Sequence, residues 1–230
     1  MKTLYVLLLG LVTSTFLTSC GHTNNLAKYD VAGKTALFRS WSSTSGSSTT
    51  VVESPDNESI IADIASLVGS GLMSDQAQKK LRRAINTDSI ADAVAQGMWQ
   101  STSDYLGVRE VKSMADDPDF IVETELTQFK LISNTGGMNA QVCAKSRIID
   151  RRSGGVVWEN SEAHTINVSN TFPAIFGPDA VRSGASVFNA VQLLNMDEED
   201  IRKVINEAAR QAGREIGETL REDVADLHEK

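Results

Sequence analysis

The stretch Phe120–Ile132, FIVETELTQFKLI, decides how this chain folds. Phe120, Val122, Thr124 and Leu126 recur every second residue, the period that sends side chains to one face of a β-strand. After Leu126 the apolar positions jump to Phe129 and Leu131, which have the opposite parity. A strand cannot change parity unless it carries an extra residue, so a bulge is expected near Thr127–Gln128.

Working outward, NTGGM reads as a turn, and NAQVCAKSRIID alternates again through Val142, Ala144, Ser146 and Ile148. RRSGG turns the chain into VVWENSEAHTINV, which completes an antiparallel meander of three strands with two glycine-containing turns. Upstream, VREVKS is a short strand and VAGKTALFRSW a further one. The tract SSTSGSSTT between strand and helices has the composition of a flexible loop. It lacks the Gly-Lys-Ser/Thr that a phosphate-cradling loop requires.

Helical spacing replaces alternation elsewhere. Ile60, Ile61, Ile64, Leu67 and Val68 mark one helix, and SDQAQKKLRRAI, with Ser74 as N-cap, a second. TDSIADAVAQGMWQSTSDYLG places Ile90, Val94, Met98, Thr102 and Tyr105 on one stripe, with Thr87 or Asp88 to cap its start and Gly107 just past its end. Met98 and Trp99 read as packing residues. The chain ends in a long amphipathic helix with the stripe Ile201, Val204/Ile205, Ala208, Ala212, Ile216, Leu220, Val224 and Leu227. Ala209, Gly213 and Gly217 lie four apart, a spacing that permits close approach of another backbone, here expected to be the sheet. Together these elements predict a two-layer α+β fold: a mostly antiparallel sheet of about four to five strands packed against amphipathic helices, as one domain over residues 31–230.

The amino terminus has the parts of an export signal. Lys2 precedes the apolar core LYVLLLGLV, and the run from Leu4 to Leu17 is several residues short of the roughly 20 that cross a bilayer. It closes in LTSC, which resembles the lipobox of bacterial lipoproteins. The resemblance implies cleavage after residue 19, diacylglycerol on the Cys20 thiol, and residues 20–30 as a polar tether. Under the sorting rule known for enteric bacteria, Gly21 after the cysteine implies the periplasmic face of the outer membrane; under other rules the inner membrane stays open. Removing residues 1–19 takes away Lys2 and moves the net charge from −8 to −9, a balance that disfavours nucleic acid and anionic headgroups as partners. With Cys20 lipidated, Cys143 has no partner for a disulfide and reads as a half-buried structural thiol.

Nothing in the chain assembles chemistry. His22, His164 and His228 are scattered, with no metal-ligand spacing. Asp116, Asp117 and Asp119 cluster without the glycine-centred loop that holds Ca²⁺, and read as a solvated turn around Pro118. Glu123 and Glu125 share the strand face expected to meet solvent. There is no G-x-S-x-G and no cysteine–histidine constellation, so no enzyme, cofactor or metal is expected. Residues 170–196, with two prolines and little charge, read either as a loop and short helix covering the sheet end, or as an apolar partner surface carried by Phe172, Ile175, Phe176, Val187 and Phe188.

The order of helix, VREV strand, DPDFIVETELTQF, AKSRIIDRRSGGVVWENS and terminal helix, residues 88–228, resembles a group of periplasmic α/β domains. The group comprises the curli-secretion-channel lipoproteins, the lipoprotein activators of penicillin-binding proteins, and the amino-terminal domain of the Tol-system β-propeller protein. Asp119, Phe120, Ile121, Val122, Thr124 and Phe129 occupy its first-strand positions, and Ile148, Ile149, Asp150, Ser153, Gly154, Val156, Val157 and Trp158 its hairpin. Glu123 and Glu125 depart from its small residues, and the long hairpins of the secretion barrel are missing. The resemblance implies a membrane-anchored, non-catalytic accessory lipoprotein that binds another envelope protein. The alternative it implies is a self-assembling or transporter-auxiliary component of a secretion or lipid-transport assembly.

Overall fold

The computed structural model describes residues 21–43, 50–53, 80, 83–134, 137–171, 175 and 196–228. The expected signal peptide, Cys20, most of the Ser/Thr/Gly tract, nearly all of the first two expected helices and most of 172–195 lie outside these residues.

Seven strands form one mixed sheet: β1 (Thr23–Asn24), β2 (Thr35–Ser42), β3 (Thr50–Glu53), β4 (Arg109–Val111), β5 (Phe120–Asn134), β6 (Gly137–Asp150) and β7 (Val156–Asn167). Their order is β1-β7-β6-β5-β2-β4, with β3 pairing the far end of β5. Two long helices, α1 (Thr87–Leu106) and α2 (Glu198–His228), complete the described core. The fold is α+β as expected, with more strands than expected and a different balance of directions. The meander β5-β6-β7 is antiparallel, but β2 runs parallel to both β5 and β4. Parallel neighbours need a crossover, and α1 lies between β2 and β4 in the chain.

The bulge falls where the parity of β5 demanded it. Leu126 pairs Ala144 and Gln128 pairs Cys143, leaving Thr127 as the extra residue, its hydroxyl donating to the Cys143 carbonyl at 3.0 Å. The extra residue brings Leu126, Phe129 and Leu131 onto one side, each wholly buried. A second bulge was not visible in the sequence. Ile148 pairs Trp158 and Ile149 pairs Val156, so Val157 is extra in β7, and Val157 and Trp158 are both fully buried. The β6–β7 turn is built as its residues suggested. The Asp150 carboxylate accepts from the Ser153 amide and hydroxyl, and Gly154 takes the left-handed φ of 70°. Those donors hold the Asp150 carboxyl below the usual carboxylate range.

Asp119 fixes the parallel pair. Its Oδ2 accepts from the Thr35 amide at 3.1 Å and the Thr35 hydroxyl at 3.0 Å, and its own amide donates to the Thr35 carbonyl at 3.0 Å. The first residues of β2 and β5 are thereby locked side by side, and the Asp119 carboxyl titrates below its ordinary range because of the Thr35 donors.

α1 is capped by Asn86, one residue earlier than expected; its side chain accepts from the amides of Asp88 and Ser89. Gly107, with φ 62°, closes the helix as expected. α2 buries Ile201, Val204, Ile205, Ala208, Ala212, Ile216 and Leu220 along the expected stripe. Its glycines, however, face α1 rather than the sheet. A methyl built on Gly213 would lie 2.1 Å from the Val94 carbonyl oxygen, and one on Gly97 would lie 2.1 Å from that of Arg210. The two glycines interlock, bringing backbone onto backbone where side chains normally hold helix axes about 8–10 Å apart.

Candidate functional site

The residues expected to form a tether are built into the fold. Thr23 and Asn24 pair antiparallel with Glu159 and Trp158 of β7, and the Asn25 amide donates to the Val157 carbonyl at 2.8 Å. Leu26 and Val31 are buried in the common core. The polar composition of GHTNNLAKYD concealed this, because its asparagines serve the backbone: Asn24 Oδ1 accepts from the Leu26 amide and Asn25 Nδ2 donates to the Val156 carbonyl.

His22 is drawn in as well. Its Nε2 lies 3.3 Å from Asp223 Oδ2 on α2, and the same carboxylate oxygen accepts from the Trp158 indole at 2.6 Å. The His22 and Trp158 rings meet edge to face, their centroids 6.4 Å apart. The tryptophan of the hairpin thus ties β7 to α2, and the segment leaving residue 20 rests on that junction. The position of Cys20 itself is outside the described residues, but Gly21 beside it is not: it lies next to the Glu159 side chain.

The opposite edge of the sheet carries a cleft of about 370 Å³ between β2, β4 and α1. Phe38 and Trp99 meet there edge to face at 6.5 Å, and Arg39, Asp92, Glu110 and Lys112 surround them. Trp99 was expected to pack inside; instead it is 37% exposed. The stripe Ile90, Val94 and Met98 points at the core, and Trp99, one residue further round, is turned about 100° away from it. An exposed tryptophan beside an arginine has the residue types that anchor protein interfaces, and the paired charges Lys112 and Glu110, 2.7 Å apart, form its rim. Five strand spacings separate this edge from β1, about 24 Å at the usual spacing.

Of the five residues named for the alternative apolar surface within 170–196, Phe172, Phe176, Val187 and Phe188 fall outside the described residues, and Ile175 is half-buried against the core. Glu123 lies on the sheet face away from the helices, as expected, with Arg147 across the strand at 2.7 Å. The acidic cluster is divided by structure: Asp116 closes a capping box with Ser113, Asp117 pairs with Arg151, and Asp119 holds Thr35. No group of histidine, cysteine and acidic residues able to hold a metal occurs among the described residues. Cys143 is half-buried and contacts Gln128 Oε1 at 3.6 Å; burial pushes its thiol up, away from nucleophilic character.

One polar cluster was not legible in sequence. Glu162 of β7 accepts from the Thr219 hydroxyl of α2 at 2.6 Å and from Asn160, and lies 2.5 Å from His164 Nε2. Burial pushes its carboxyl up, and these three partners outweigh it, so it titrates below its ordinary range.

The chain matches no protein-family model and no curated protein sequence. Solved structures match it at low identity, among them the following three. A PelC dodecamer from Paraburkholderia phytofirmans is 12% identical, with a TM-score of 0.31 over 63% of this chain and 80% of that one. Protein XCC0632 from Xanthomonas campestris, of family DUF330, is 9% identical, with a TM-score of 0.41 over 92% and 97%. Lipoprotein GNA1162 from Neisseria meningitidis is 15% identical, with a TM-score of 0.21 over 57% and 82%.

Proposed function

We propose that this chain is a membrane-anchored, non-catalytic accessory lipoprotein that binds another cell-envelope protein, with its lipid on Cys20. One observation carries the reading. The residues directly after Cys20 are fastened to one edge of the sheet, while the exposed Trp99 cleft lies at the other. A lipid attached at residue 20 then sits against the domain with almost no slack, and the cleft points away from the bilayer. No helix among the described residues is long and apolar enough to cross a membrane, so the lipid would supply the anchoring. Two or three acyl chains suffice for that. Confinement to the same membrane compartment raises the effective concentration of the partner, so a modest cleft suffices.

The test uses the full-length chain in cells. Radiolabelled palmitate should enter the wild type and not Cys20→Ser. A photo-cross-linking residue at Lys112, whose side chain is 81% exposed, should capture one envelope protein, and Trp99→Ala should abolish that capture. An unlabelled wild type would refute the anchor. Capture unaffected by Trp99→Ala would refute the cleft.

A further inference from the structure

β1 covers only the start of β7. It pairs with Trp158 and Glu159, and beyond them Asn160–Asn167 has β6 on one side and no described strand on the other. The direction of the backbone groups follows from two bonds. Val157 offers its carbonyl outward to Asn25, and the Ser161 amide, turned away from β6, is taken by the side chain of Asn160 at 2.9 Å. Alternation turns Ala163 and Thr165 outward in the same way. Both are exposed. Exposed edges are normally guarded by proline, a bulge or outward charge. Ser161, Ala163 and Thr165 supply none of these.

We propose that this edge pairs with the same edge of a second copy, antiparallel and centred on Ala163. Glu162 and His164 select that register. With Ala163 opposite Ala163 of the second copy, Glu162 faces the partner's His164, and His164 faces the partner's Glu162, as close non-hydrogen-bonded pairs about 4.5 Å apart at Cα. A slip of the centre to residue 162 would set glutamate against glutamate. A slip to 164 would set histidine against histidine. Glutamate meets histidine only in the central register. β7 ends at Asn167 and turns into a 3-10 helix at Val168–Thr171; in this register the second copy's Asn167 would come opposite Glu159, the place Thr23 holds, so the shared ladder runs over Asn160–Ile166 of each copy.

The two-fold axis stands perpendicular to the sheet, so the amino-terminal segments of both copies emerge beside the junction, roughly 27 Å apart at 3.4 Å per residue. If Cys20 is lipidated as proposed above, both anchors enter one bilayer and the pairing becomes effectively two-dimensional; the strand pairing itself does not depend on that.

Cysteine scanning in the full chain, in membranes and in a Cys143→Ser background, decides the matter. Ala163→Cys places two thiols at a symmetric pair with Cα atoms about 5.5 Å apart, within disulfide reach, whereas Thr165→Cys separates them by about 14 Å. Mild oxidation should give a doubled-mass band with Ala163→Cys alone. Ala163→Pro removes both symmetry-related bonds without touching the β6 ladder, and should weaken the dimer about thirtyfold by native mass measurement. Equal cross-linking by both cysteine variants, no cross-link from Ala163→Cys, or cross-linking only to a different protein would each overturn the proposal.

Discussion

Alanine in place of Gly213 should destabilise this protein, although in an unpacked helix the same change stabilises by about 1 kcal/mol. The added methyl would lie 2.1 Å from the Val94 carbonyl oxygen, 2.9 Å from its carbon and 3.1 Å from Gly97 Cα. Contacts under 3.0 Å are not tolerated, and here the neighbours are backbone atoms of a helix, which cannot rotate aside. Relief needs α1 and α2 to separate by about 1 Å, and a gap of that size forfeits a quarter to a half of each dispersion contact along the interface. Overpacking of this kind costs about 1–3 kcal/mol, and main-chain contact puts it at the upper end. Subtracting the propensity gain leaves about 2 kcal/mol, or a fall in Tm of roughly 4–8 °C for a chain of this size. Thermal unfolding followed by circular dichroism at 222 nm would measure it. Gly97→Ala, which meets the Arg210 carbonyl oxygen at 2.1 Å, should behave alike. The double variant should lose less than the sum, because one separation relieves both clashes. An unchanged or higher Tm for Gly213→Ala would refute the interlocked-backbone account.

Deleting Thr127 removes the bulge and leaves Leu126, Phe129 and Leu131 in plain alternation on the core face, so the urea transition should stay cooperative at a loss of about 1 kcal/mol for the bond to the Cys143 carbonyl; loss of the cooperative transition would refute the assignment of Thr127 as the extra residue. Trp158→Phe leaves the Asp223 carboxylate without its indole donor and vacates core volume; a loss of about 2–3 kcal/mol is expected in urea titration, with Asp223→Asn costing less. The Asp119 carboxyl is depressed in the folded state by the Thr35 donors, so its contribution is present above the unfolded value near pH 4 and is lost as pH falls through the folded value. The Tm gap between wild type and Asp119→Asn should therefore be full at pH 6 and shrink below about pH 4; a gap independent of pH would exclude the linkage.

What sequence alone determined was whatever a period or a local turn can encode. The parity break after Leu126 located a bulge because alternation is a property of one strand and its own backbone. Asp150, Ser153 and Gly154 announced their turn because all its bonds close within six residues. The stripe of α2 and the glycine stop of α1 were legible for the same reason. Tertiary structure alone decided what each face meets. GHTNNLAKYD looked like a solvated tether because its asparagines are polar; only β7 shows that they pair backbone at a sheet edge. Trp99 sits beside Met98, and only the direction of the core makes one buried and the other exposed. Gly213 allowed a close approach, but its partner, Gly97, lies more than a hundred residues away. Asp119 and Thr35, or Trp158 and Asp223, are likewise joined by folding across long stretches of chain. A one-dimensional pattern fixes which side chains must leave water, and only packing in three dimensions fixes which surface receives them.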